Sequence, residues 1–253
     1  MYHSELSLKG GAEVRIRLDI TRRENADSPP YVLSTFFEAE GHDTVASALN
    51  SINADSNRKD INGKSFTEIG FECSCLQKKC GACAMVICGR PMLACDARLT
   101  EIHKHGIVTL SPLKKFPPVA DLIVDRSPMF SALKKMKLWL SGTGEVGAGD
   151  TALAFEASKC LQCGCCLEVC PNFYTGSEFY GMSAAVPDAR LISAASENDK
   201  KMLLAAYRKH VYNGCGKSLA CKNVCPAGID TELLLVNSNA AALWKRRFGR
   251  GRR

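Results

Sequence analysis

A chain of 253 residues, 46% apolar and 23% charged, has the make-up of an ordinary folded protein and room for one large domain or two smaller ones. It contains no run of eighteen apolar residues, and MYHSELSLKG lacks the apolar core of a signal peptide, which argues against a membrane span or an export leader. The net charge of +7 is concentrated at one end, where Lys245, Arg246, Arg247, Arg250, Arg252 and Arg253 supply six positive charges. Such a tail is either a solvated end or a contact for anionic lipid headgroups; no aromatic-interleaved basic face accompanies it, so nucleic acid is not expected. Arg22-Arg23 is followed by polar residues and is not a twin-arginine signal. The expected setting is cytoplasmic and reducing, where cysteines serve as metal ligands more often than as disulfides.

In chain order, Val14, Ile16, Leu18 and Ile20 alternate with polar residues and predict a half-buried strand. Tyr31 to Phe37 predicts a second strand after Pro29-Pro30, and Asp43 is placed to cap a short helix with Val45, Ala48, Leu49 and Ile52 on one face. A cysteine-rich loop follows, then strands at Ala84–Cys88, Met92–Cys95 and Ile107–Leu110, the first two joined by a Gly89-Arg90-Pro91 turn. Strands and one helix around a cysteine loop predict a β-grasp sheet. Ser111 to Ala120, with three prolines, predicts a linker. Helical periodicity takes over beyond it: a helix opened by Pro128 with Met129, Leu133, Met136 and Leu140 on one face, then helices at 151–158, 189–197, 200–212 and 231–245. The four glycines from Gly142 to Gly149 predict a flexible connection. The fold class is therefore α+β: a β-grasp domain over 1–112, then a helical domain over 113–253 that ends in the basic tail.

The chemistry lies in fourteen cysteines, eleven of which fall into ligand patterns. Cys75, Cys80, Cys83 and Cys95 carry the C-x4-C-x2-C spacing of a plant-type [2Fe–2S] site, with the fourth thiolate arriving from a later strand. A four-thiolate zinc site is the alternative. Cys160, Cys163, Cys166 and Cys170, followed by Pro171, form the bacterial C-x2-C-x2-C-x3-C-P run, whose fourth cysteine serves the other of two clusters. Its partner segment has Cys215, Cys221 and Cys225 before Pro226, with Ser218 where a cysteine is expected. Crossed over, Cys160, Cys163, Cys166 and Cys225 make a [4Fe–4S] site. Cys170, Cys215 and Cys221 offer only three thiolates, which predicts [3Fe–4S]; a [4Fe–4S] cluster with Ser218 or water at the fourth iron is the alternative. Cys73, Cys88 and Cys165 are left as buried small side chains rather than ligands.

These motifs, together with Leu-Ala-Cys95 and the segment Asp121-Leu-Ile-Val-Asp-Arg-Ser-Pro-Met-Phe130, resemble the iron–sulfur subunit of succinate dehydrogenase and fumarate reductase over nearly the whole chain. The resemblance implies a subunit that relays electrons between the FAD of a separate flavoprotein subunit and a quinone at a membrane anchor, peripheral to the cytoplasmic face of the membrane. It also implies that the chain itself has no catalytic residues. Ubiquinone-using relatives have a tryptophan shortly after the first Cys-Pro and a histidine after the first cysteine of the second run. Here Phe173-Tyr174 and Gly216 stand in those regions, so the resemblance points to menaquinone. The competing expectations are a fumarate reductase subunit with another donor and a free ferredoxin-like carrier.

Overall fold

The computed structural model describes residues 14–142 and 148–248, with the side chains of 148–150 and 244–248 outside the description. The initial ten residues, most of the glycine-rich connection and the side chains of the basic tail therefore lie outside the described residues.

The predicted alternation appears as β1 (Val14–Arg22), which pairs antiparallel with β2 (Tyr31–Ala39) and buries Ile16, Leu18 and Ile20 completely. Each such side chain contributes about 1.5–3 kcal/mol of burial. β1 pairs parallel with β5 (Ile107–Ser111), and β3 (Ala84–Ile87) joins β5 to the edge strand β4 (Arg90–Leu93), giving the order β2-β1-β5-β3-β4. Helix α1 (Val45–Ala54) packs its Val45, Ala48, Leu49 and Ile52 face into this core. Its cap is Thr44 rather than Asp43. Thr44 and Ser47 satisfy each other's backbone N–H groups in a capping box, while Asp43 sits one residue earlier and accepts from Ser47 Oγ at 3.0 Å.

The β3–β4 connection also differs from the expected one. The turn is Cys88-Gly89, both at positive φ (48° and 80°), the signature of a two-residue type I′ hairpin. Arg90 and Pro91 belong to the strand, and Pro91 is tolerated because β4 is an edge. A short helix α2 (Leu99–Ile102) precedes β5.

The predicted linker carries structure of its own. β6 (Pro118–Ala120) and β7 (Ile123–Val124) form a small hairpin turning at Asp121 and Leu122. Asp121 accepts from Arg22 Nε at 2.8 Å, from Arg23 N at 3.0 Å and from Gly70 N at 2.7 Å. Arg22 is almost fully buried and also donates to Thr67 and Glu68, so both charges of the pair are satisfied inside the fold.

Beyond it stand α3 (Ser127–Lys135), α4 (Ala148–Ser158), α5 (Cys165–Glu168), α6 (Gly181–Ile192), α7 (Glu197–His210) and α8 (Thr231–Phe248). A second core joins α3, α4, α6, α7 and α8 around Met136, Val186, Tyr207 and Leu234. Helix α6 begins eight residues before its expected start and runs through Pro187. An interior proline costs roughly 3 kcal/mol, partly by orphaning the carbonyl four residues back. Here that carbonyl, Ser183 O, accepts from Gln162 Nε2 at 2.9 Å, so the side chain of a cysteine loop repairs the helix.

Candidate iron–sulfur centres

Cys83 and Cys95 are set by the β3–β4 hairpin, one immediately before β3 and one shortly after β4, and Ala94 N donates to Cys83 O at 3.0 Å. The loop from Cys75 to Gly81 folds over the same end. Its Leu76 and Lys78 take positive φ (52° and 58°), which turns successive N–H groups inward. Gln77 N and Lys79 N reach Cys75 Sγ at 3.4 and 3.3 Å, and Lys78 N reaches Cys95 Sγ at 3.3 Å. The two backbone donors hold the Cys75 thiol down to about 7, whereas burial first, with Cys95 beside it, pushes Cys83 up to about 12. Sulfur atoms ringed by N–H donors fit an inorganic cluster whose thiolates carry negative charge.

The two later segments share one backbone design. Gln162 and Gly164 lie two and four residues after Cys160 and have φ of 51° and 87°. Lys217 and Leu219 lie two and four residues after Cys215 and have φ of 56° and 55°. Ser218 thus holds the place that Cys163 holds in the first segment.

Each segment lines a cavity. One is bordered by Cys160, Cys163, Cys166 and Cys225, and the other by Cys170, Cys215, Cys221 and Ser218, with Cys166 again in its wall. Among the described residues no three His, Cys, Asp or Glu side chains converge closely enough for a single metal ion. The thiols instead surround space, as a cluster with its own sulfides requires. Burial raises the Cys160, Cys166 and Cys221 thiols, so ligation to a cationic iron would favour thiolates that their surroundings alone disfavour.

The first loop touches the second. A Cβ added to Gly81 (φ 75°) would lie 2.8 Å from Leu161 O and 2.9 Å from Cys163 Cβ, so only glycine fits where the two loops meet. Gly164 is likewise pressed on Phe116. Spacing alone did not reveal these contacts.

The three remaining cysteines differ from one another. Cys88 donates to Ile102 O at 3.6 Å, and Cys73 is exposed rather than buried because it precedes the loop instead of packing under it. Cys165 is fully buried and hydrogen-bonds the Cys163 sulfur, the foremost influence holding the Cys163 thiol down to about 7; the Arg126 charge acts in the same direction. Gln162 Nε2 supplies a comparable contact to Cys160 Sγ at 3.2 Å.

Residues 17–131 match a 2Fe-2S iron-sulfur cluster binding domain and residues 156–229 a 4Fe-4S dicluster domain. A succinate dehydrogenase iron-sulfur subunit of Bacillus subtilis is 38% identical over 225 residues, covering 85% of this chain and 87% of that protein. The chain belongs to the succinate dehydrogenase and fumarate reductase iron–sulfur subunits. It is thus an iron–sulfur subunit of an oxidoreductase family. A fumarate reductase iron-sulfur subunit of Wolinella succinogenes is 28% identical over 179 residues, or 65% of this chain and 74% of that one. In structure, a chain of the Mycobacterium smegmatis Sdh1 complex in the apo form superposes with a TM-score of 0.74 over 94% of this chain and 98% of that one. At 21% identity this supports the shared fold: a β-grasp sheet domain followed by a helical cluster-binding domain. No described helix is long and apolar enough to cross a membrane.

Proposed function

We propose that this subunit relays electrons between the FAD of a flavoprotein subunit and a membrane quinone. The observation that carries the reading is the contiguity of the three sites: the first loop touches Cys163 through Gly81, and Cys166 stands in the wall of both later cavities. Cys75, Cys80, Cys83 and Cys95 hold a [2Fe–2S] cluster. Cys160, Cys163, Cys166 and Cys225 hold [4Fe–4S], and Cys170, Cys215 and Cys221 hold [3Fe–4S]. The clusters supply reversible one-electron chemistry. The chain's own residues position the thiolates, donate N–H groups to them and keep water from the buried walls. On this reading the chain makes and breaks no substrate bond, and a membrane anchor subunit holds it at the cytoplasmic face.

Menaquinone is the proposed quinone. Gly216 is not followed into its side-chain space by an imidazole; Asn172 fills that space, 3.2 Å from a Cβ added there, and its Nδ2 donates to Gly214 O at 2.6 Å. Phe173 is buried with its ring centroid 6.0 Å from that of Phe116, so it braces the interior, while Tyr174 is exposed.

Purification of the native protein tests the assignment. An FAD-bearing chain is expected to accompany it, and EPR is expected to show a reduced [2Fe–2S] signal and an oxidised [3Fe–4S] signal. A chain that purifies alone is a carrier, and an oxidised, intact complex without the [3Fe–4S] signal overturns the three-thiolate site. Efficient turnover with ubiquinone but none with menaquinone analogues overturns the choice of quinone.

A further inference from the structure

Arg126 precedes α3 in the Asp121–Phe130 segment, and its side chain is only 14% exposed. Its Nη2 donates to Ala82 O at 2.8 Å and to Ala84 O at 3.2 Å, the carbonyls on either side of Cys83. Its Nη1 pairs with Glu72 at 3.1 Å, and its Nε is buried without a partner among the described residues. The guanidinium lines a hollow with Cys80 and Gly81 from the first cysteine loop and Leu161 and Gln162 from the second. A permanent cation therefore stands at the junction where Gly81 meets Cys163.

We infer that Arg126 tunes the reduction potentials of the first two centres, raising both by stabilising the extra negative charge of their reduced forms while leaving the third unaffected. The inference rests on the ligand assignment proposed above. Coulomb attraction in a partly dehydrated site exceeds its value in water, and the charge is held in place by the two carbonyls rather than swinging in solvent. Arginine suits the task because it stays protonated when buried and its fork spans several acceptors at once. Glu72 is about half exposed and offsets part of the field, so the pair sets the potential by difference. Leu161 and Gln162 border both the Arg126 hollow and the second cavity, whereas no residue lining the third cavity borders that hollow.

The test is an EPR-monitored redox titration of the purified, cluster-loaded complex in three variants. Arg126→Gln is expected to lower the [2Fe–2S] and [4Fe–4S] midpoints and leave the [3Fe–4S] midpoint in place. Arg126→Lys, which keeps the charge but not the fork, is expected to give a smaller shift of the same sign. Glu72→Gln, at a half-exposed position that tolerates change, is expected to shift the first two midpoints upward, and it decides the matter if Arg126→Gln fails to assemble. Unmoved midpoints in Glu72→Gln, or equal shifts of all three centres in Arg126→Gln, overturn the inference. Absence of the three cluster signals from the unaltered complex instead overturns the ligand assignment on which it rests.

Discussion

The segments 160–171 and 215–226 have the same cysteine spacing except at one position and the same pair of left-handed residues, yet their surroundings diverge. In the first, Cys163 is buried against Gly81, Cys165 hydrogen-bonds its sulfur, and Gln162 ties the loop to α6. In the second, Ser218 is exposed and Lys217 sits 5.2 Å from the Tyr212 ring in a cation–π pair. A repeated backbone thus accommodates two different sites. On the proposed assignment, the corner held by Cys163 is closed where its segment meets the first loop, and the corner at Ser218 is open where it faces outward.

The largest expected effect comes from Cys166→Ala. Its side chain borders both cavities, so both later cluster signals should weaken, with the [2Fe–2S] signal retained; EPR of the purified complex reads the outcome. Loss confined to one signal would separate the two cavities. Ser218→Cys should make the segments alike, converting the third site toward [4Fe–4S] and lowering its potential, and an unchanged spectrum counts against the overlay. Gln162→Leu leaves Ser183 O without its donor and should lower stability by about 1–3 kcal/mol in denaturant unfolding. The matching change Lys217→Leu should stay within about 1 kcal/mol because only an exposed cation–π contact is lost.

A pH-dependent effect, absent at low pH, concerns Asp188 on α6, the helix behind both segments. It is fully buried, neither carboxylate oxygen has a hydrogen-bond partner among the described residues, and burial raises its pKa well above the carboxylate range. Its charge would also oppose ionisation of Tyr207, whose hydroxyl burial chiefly protects. A raised folded pKa means that the stability Asp188 contributes is complete below its unfolded pKa and is lost as pH rises toward the folded one. That loss is at most about 1.4 kcal/mol per pH unit. Asp188→Asn should therefore melt near the unaltered protein at pH 4 and above it at pH 8, and parallel melting curves at both pH values would contradict this.

Much of the fold was legible because its signals are local. The alternation in β1 and the apolar face of α1 each follow from one short stretch of residues, and the cysteine spacings point to the 2Fe-2S and 4Fe-4S domains that the family models match. What escaped depends on distant partners. Thr44 wins the cap from Asp43 because Ser47 completes a reciprocal box. The helix expected at 189–197 begins at Gly181 instead, because Gln162, distant in the sequence, supplies the donor that Pro187 leaves missing. Ser111 to Ala120 reads as linker because prolines hide a hairpin that Arg22 and Asp121 pin in place. The same distance dependence hid Arg126 and Cys165, which gain meaning only when two cysteine loops are brought together.

Gly81 has a consequence beyond fit. The atoms that meet there come half from the sheet domain and half from the helical one, so the junction does not exist in either alone. On the proposed relay, the subunit becomes a continuous conductor only when its two halves dock, and folding itself closes the circuit.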